Sequence, residues 1–380
     1  MEKSQTILIV AGEASGDLHA ANLVGALKKE NPRLCLFGLG GEKLKNQGVS
    51  ISYDIVSLAV VGLWEVVRNL GTFKAIFDNL LKEIDERKPR LAILVDYPGF
   101  NLRLAQELKK RNIPVVYYIS PQVWAWGKER IPLIRRVVDH MIVFFKFEEE
   151  LYKKERIPVS FFGHPLLDVA KAQRNKKTLL ETYHIPDSKY TVALLPGSRE
   201  KEVKNILPVM LASAELLHKK LIDIKFLILR APTVSEETFK TLLKPYCLPI
   251  YILTDTTYDG LNASDLALVA SGTATLETAI MQIPMAIIYK ISFLTWLYAR
   301  IFIKIPFIGL VNIIAGTKVV PEFIQHHAKP RDIACFAEFV LTNPAESDRI
   351  KKQLRVVTEK LGAPQTIKRH AEVIARLLAT

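Results

Sequence analysis

Cysteine is scarce in this chain. Its 380 residues include three, Cys35, Cys247 and Cys335, far apart and without a CxxC pair or an accompanying histidine cluster. That pattern excludes a disulfide framework and a structural zinc site, and it suits a reducing compartment. Long apolar runs are missing as well. The nearest, Ile291–Gly316, is interrupted by Arg300 and Lys304, so a membrane-spanning helix is not expected. The first residues, MEKSQTILIVAGE, hold one short apolar run followed by Gly and Glu, which reads as a buried strand rather than a secretory segment. Glycine and proline, 18 and 20, are too few for a fibrous chain. The first glycine-containing loop is neither GxGxxG nor a P-loop.

What is present is an ordinary globular composition with an unusual charge. Hydrophobic residues make up 49% and charged residues 24%, so disorder is excluded. Lys+Arg 52 against Asp+Glu 39 leaves +13. So basic a chain is attracted to nucleic acid, to an anionic membrane surface or to phosphorylated substrates. The length allows roughly two to three domains.

Short apolar runs alternate with amphipathic stretches. Thr6–Gly12, Leu91–Asp96, Pro114–Ser120 and His140–Phe145 form a first series, with helical patterns such as DLHAANLVGALKKE between them. The polar stretch Lys171–Ser188 follows, and a second series then runs through YTVALLPGSRE, IKFLILRAP, LPIYILTD, DLALVASGTA and IPMAIIYK. The fold class expected is α/β: two Rossmann-like domains of parallel strands facing across a cleft. The boundaries expected are 1–170, 171–345 and a helical segment, 346–380, that packs back on the first domain or on a second subunit.

Ligands in such sheets bind where strands end, so the loops after strands carry the candidates. Gly12-Glu13-Ala14-Ser15-Gly16-Asp17 offers an acid and a hydroxyl at a helix start. It reads either as a plain turn capped by Ser15 or Asp17, or as a sugar- or phosphate-binding loop. Asp96 ends a hydrophobic strand before Tyr97-Pro98-Gly99, a rigid mount suited to a general base; the alternative is a helix cap. Ser120–Gly127 holds Trp124 and Trp126, either core or a stacking surface for a sugar or an acyl chain. His164 reads as a phosphate donor or as a loop cap. Gly197 permits close backbone approach, and Arg199 offers a fork for phosphate. The Ser271-Gly272-Thr273 turn opens a helix that carries Glu277, a place for a diphosphate with a ribose beside it.

AGEASGD, VDYPGFN, YYISPQVWAWG, FFGHPL, LLPGSREKEV and ASGTATLE occur in this order between Ala11 and Glu277. Together they resemble the lipid-A-disaccharide synthases, two-domain (GT-B) glycosyltransferases. The resemblance implies an inverting hexosyltransferase of lipid A (lipopolysaccharide) biosynthesis that needs no cofactor and no metal. It would join UDP-2,3-diacylglucosamine to 2,3-diacylglucosamine 1-phosphate, giving the β-1,6-linked disaccharide 1-phosphate and UDP. It implies Asp96 as base with Glu13 near the acceptor. Gly197, Ser198, Arg199, Ser271, Gly272, Thr273, Glu277 and Asn312 would bind the donor. Ser15, Asn101, Gln122, Trp124 and His164 would bind the acceptor. Asn312 lies in LVNIIAG, where Val311 replaces the family's usual proline.

Residues 60–74 are apolar on more than one face, with Arg68 and Lys74 interspersed. They read as a core helix or as an acyl and membrane contact through Leu63, Trp64, Val67, Leu70 and Phe73. The Trp296–Ile308 region is a second candidate. The expected location is cytoplasmic, peripheral on the inner face of the cytoplasmic membrane, with a homodimer left open. Nucleic acid is not an expected partner, because the basic residues are spread over many helices and no recognition motif is present. A UDP-sugar 2-epimerase is the competing enzyme on the same architecture.

Overall fold

The structure is a computed structural model that describes residues 5–59, 70–125, 127–291 and 306–379. The chain divides into two compact units, residues 1–168 with 361–380, and residues 169–360.

In the first unit, seven parallel strands form one sheet: β1 Thr6–Ala11, β2 Cys35–Gly40, β3 Ser50–Asp54, β4 Leu91–Val95, β5 Val115–Tyr118, β6 His140–Val143 and β7 Val159–Phe161. Their order is β3-β2-β1-β4-β5-β6-β7. The continuous apolar runs follow from burial on both faces. Along β1, Leu8 and Val10 join a core with Ile76, Leu80 and Ile84 of the helix Leu70–Arg87 and with Leu104 and Leu108 of the helix Pro98–Lys110. Ile7, Ile9 and Ala11 point the other way, onto Leu23, Val24 and Leu27 of the helix Ala14–Glu30. Strand order reverses between β1 and β4, and in open sheets that reversal leaves a crevice at the strand ends. The loops from Gly12 and Asp96 border it.

The helix Thr366–Ala379 completes this unit. Ala371, Ile374 and Leu378 join the same core as Leu23 and Leu27. Its start is fixed by Asp168, whose carboxylate accepts from the Gln365 and Ile367 backbone N–H groups at 2.6 and 2.9 Å. Beside it Gly163 and Gly362 pair as an isolated bridge. Both have positive φ, and a Cβ on Gly362 would lie 2.6 Å from the Gly163 Cα. Only glycine fits that backbone crossing.

The second unit holds β8 Tyr190–Leu195, β9 Ile224–Arg230, β10 Ile250–Thr254, β11 Leu266–Ala270, β12 Met285–Tyr289 and β13 Glu322–Ile324. They form a parallel sheet of order β10-β9-β8-β11-β12-β13. Here the reversal lies between β8 and β11, at the loops of Gly197 and Ser271. The helix Pro344–Lys360 belongs to this unit and buries Ile350, Leu354 and Val357. The expected segment 346–380 is therefore divided, its last helix lying on the first unit.

Candidate active site

Asp96 stands at the end of β4 on a backbone that sequence alone does not favour. Asp96 and Tyr97 have φ of 46° and 47°, left-handed values uncommon outside glycine. Three groups hold them. The Asp96 N–H donates to the Tyr118 carbonyl at 3.0 Å. The Asp96 carbonyl accepts from Asn101 Nδ2 at 2.8 Å and from the Tyr117 hydroxyl at 2.6 Å. The half-buried carboxyl is pushed up to about 6, first by desolvation and then by the charge of Glu13, against the Tyr97 backbone N–H. Glu13 therefore lies near enough to act on Asp96. It is the residue at which the helix Ala14–Glu30 begins, so the reversal in the sheet brings two carboxyl groups to one crevice.

Neither Ser15 nor Asp17 caps that helix. Ser15 is exposed. Asp17 is buried and accepts from the Gly41 and Lys43 backbone N–H groups at 2.8 and 3.1 Å, so it fixes the start of the next helix, Glu42–Asn46.

Three residues expected to face ligand are enclosed. Asn101 is fully buried, and its amide donates to the Val95 and Asp96 carbonyls. It shapes the Asp96 turn through Nδ2, while its Oδ1 has no hydrogen-bond partner. His164 is buried among Phe144 and Phe145, accepts the Leu166 N–H at 3.1 Å, and is held neutral by burial. Asn312 is fully buried as well. Its amide donates to the Val320 carbonyl and Glu322 Oε1, each at 2.9 Å, and its oxygen accepts from the Val319 and Val320 N–H groups. It ties its own helix to β13 and to Val319 and Val320, which precede that strand.

Gln122 is exposed, and Trp124 is half-buried. The Trp124 indole packs edge-on against Phe147 with centroids 5.2 Å apart, and its Nε1–H donates to Glu148 at 3.2 Å. Sequence reading did not single out Glu148. The residue is buried and pushed up to about 8 by desolvation.

Leu63, Trp64 and Val67, and also Trp126 and Trp296, lie outside the described residues. The helix Leu70–Arg87 begins at Leu70. Phe73 is half-buried against the first core and lines a groove of about 760 Å³ with Phe77, Tyr97, Phe100, Lys74 and Arg103. Tyr97 carries this groove up to the Asp96 turn. Among the described residues no helix is long and apolar enough to cross a membrane.

In the second unit Gly197 has φ of 117°. Arg199 is exposed and reaches Glu202 Oε1 at 3.2 Å, while Glu202 Oε2 accepts the Ser198 N–H at 3.3 Å. Ser271 donates to the Ile308 carbonyl at 3.3 Å, and Gly272 and Thr273 are exposed. Glu277 is pushed up by desolvation and accepts from the Tyr258 hydroxyl at 2.8 Å. Tyr258 and Glu202 went unnoticed in the sequence. Glu202 stands inside the LLPGSREKEV stretch, where it reads as one more first-turn acid.

A family model described as lipid-A-disaccharide synthetase matches residues 7–377. The lipid-A-disaccharide synthase of Syntrophus aciditrophicus is 45% identical over 376 residues, covering 99% of this chain and 98% of its own length. That of Geobacter sulfurreducens is 39% identical over 375 residues, with the same coverage. Among solved structures, a UDP-GlcNAc 2-epimerase from Neisseria meningitidis bound to UDP-GlcNAc matches with TM-score 0.63 at 14% identity, over 98% of this chain and 99% of that one. Acinetobacter baumannii MurG matches with TM-score 0.60 at 14% identity, over the same shares. At such identity these two speak for the GT-B fold alone. The full-length family match and the close relatives decide the rest: this chain belongs to the lipid-A-disaccharide synthetase family of glycosyltransferases.

Proposed function

We propose that the chain transfers 2,3-diacylglucosamine from UDP to the 6-hydroxyl of 2,3-diacylglucosamine 1-phosphate, with inversion, giving the β-1,6-linked disaccharide 1-phosphate and UDP. The observation that carries this reading is the pair at the first sheet's reversal, Asp96 raised to about 6 beside Glu13. A base of that strength is ionised at neutral pH and still accepts a proton in the transition state. Asp96 takes the acceptor hydroxyl proton as its oxygen bonds to the donor C1. The C1–O bond to the diphosphate breaks, and its electron pair leaves on UDP. Glu13 raises the basicity of Asp96 through its charge.

The first unit is the acceptor domain in this reading, with Ser15, Gln122 and Trp124 on the acceptor sugar and the groove at Phe73, Phe77 and Phe100 receiving an acyl chain. The second unit is the donor domain. Gly197, Ser198 and Arg199 meet the diphosphate with Ser271, Gly272 and Thr273, and Glu277 meets the ribose hydroxyls. Arg199 exchanges Glu202 for the diphosphate, which stabilises charge on the leaving group without a metal ion. Residues 60–74 and the net charge of +13 hold the enzyme on the anionic inner face of the cytoplasmic membrane.

Asp96→Asn tests the base directly. The variant is expected to fold, to bind UDP normally, and to turn over about 10²-fold or more slowly. Wild-type kcat/KM falls as pH drops through about 6, where Asp96 becomes protonated; that limb is absent from the residual rate of the variant. Near wild-type turnover in Asp96→Asn removes Asp96 from this role.

A further inference from the structure

The loop after β5 starts from a strained residue. Ile119 has φ of 69°, a conformation that β-branched residues rarely adopt and that persists only where the surroundings impose it. Ile119 packs against the apolar core and donates its N–H to the Ile142 carbonyl at 3.1 Å, and the residues that follow it enter a buried polar cluster. Ser120 Oγ donates to the Pro121 carbonyl at 2.8 Å and lies 2.8 Å from the Tyr152 hydroxyl. Trp124 Nε1–H donates to Glu148 Oε1 at 3.2 Å, and the Phe145 backbone N–H donates to Glu148 Oε2 at 3.3 Å. Glu148 is 3% exposed, and these two groups are its hydrogen-bond partners. Burying a carboxyl group is costly unless hydrogen bonds compensate it. The Phe145 bond closes the start of the helix Lys146–Lys154, and the Trp124 bond joins that helix to the loop after β5 through one indole ring, which Phe147 supports edge-on at 5.2 Å. The transfer chemistry leaves Glu148 without a part.

We propose that Glu148 is a positioning residue: by holding the Trp124 indole it fixes the Ser120–Trp124 loop in the arrangement that receives the acceptor sugar. This rests on Trp124 being an acceptor contact. Glu148 itself touches no substrate, so its effect passes through Trp124 and falls on one substrate.

The test is steady-state kinetics on the full-length enzyme, varying donor and acceptor separately, for Glu148→Ala, Glu148→Gln, Trp124→Phe and the Trp124→Phe/Glu148→Ala double variant. Trp124→Phe keeps a ring and removes the N–H. Expected is an acceptor KM raised about tenfold by Glu148→Ala and by Trp124→Phe, with donor KM unchanged. The double variant is no worse than either single one, because both remove the same bond. Glu148→Gln, which keeps an acceptor for the indole N–H, restores acceptor KM. Additive effects in the double variant, or equal changes in both KM values, overturn the proposal and point to general loss of structure. Should Glu148→Ala not fold, Trp124→Phe alone decides: an unchanged acceptor KM overturns it. Trp124→Ala reports on the underlying assignment. If that truncation leaves acceptor KM unchanged, Trp124 is not an acceptor contact, and the role of Glu148 falls with it.

Discussion

The ring of Tyr97 lies over Gly12, so close that a Cβ on Gly12 would come 2.3 Å from Tyr97 Cδ1. The contact joins the loop after β1 to the loop after β4, the two loops that carry Glu13 and Asp96. The same ring stacks on Phe100 with centroids 6.0 Å apart, so it has little room to retreat. Gly12→Ala is therefore expected to displace Tyr97 and with it the Asp96 carboxyl. Overpacking of this kind costs about 1–3 kcal/mol, and misplacing a reacting group lowers turnover by about 10²-fold. Chemical denaturation and kcat on the purified variant check both. Wild-type kcat in Gly12→Ala would show that the two loops are not coupled.

Glu148 gives a pH signature in stability. Its ordinary value is 4.5 and its folded value about 8. Below 4.5 the group is protonated in folded and unfolded chains alike. As pH rises from 4.5 to 8 the unfolded chain ionises while the folded one does not, so the folded state loses stability through that window. Glu148→Gln has no such loss. The unfolding midpoint of the wild type should fall relative to Glu148→Gln between pH 5 and 8. Comparison at each pH cancels the opposite trend from His19 and His370, which burial pushes down to about 4 and about 3. A constant difference between the two proteins contradicts a buried, protonated Glu148.

Much of this arrangement was legible in the chain itself. The strands were readable because strands buried on both faces are continuous apolar runs, as β1 and β4 are. Asp96 and Glu13 were readable because each follows such a run directly. The polar residues nearby were not separable by the same logic. Asn101 and His164 sit in the shared motifs and Asn312 in LVNIIAG, and each turns inward to satisfy backbone groups that an irregular loop leaves unpaired. A loop residue that binds ligand and one that holds the loop have the same local sequence. Glu148 was hidden for a related reason. In KFEEEL it reads as a solvated first-turn acid, and only the meeting of the loop after β5 with the start of the helix Lys146–Lys154 encloses it.

Arg199 and Glu277 should each contribute to UDP affinity. Arg199→Ala removes the charged fork, and Glu277→Ala removes a carboxyl held by Tyr258. A charged hydrogen bond contributes about 1.5–3 kcal/mol, so calorimetry should register a weaker Kd for UDP by roughly ten- to a hundredfold in each. Glu202→Gln, which loosens the competing partner of Arg199, should leave UDP binding intact or tighten it. Unchanged affinity in both alanine variants contradicts a donor site on the second unit.

The most direct measurement is UDP release from UDP-2,3-diacylglucosamine in EDTA, with and without 2,3-diacylglucosamine 1-phosphate, with the product's linkage read by NMR. The account predicts release only when acceptor is present, no loss on chelation, and a β-1,6-linked disaccharide 1-phosphate. Release that ignores the acceptor, an α-linked product, a strict need for a divalent ion, or epimerisation of the donor with no acceptor present would contradict it.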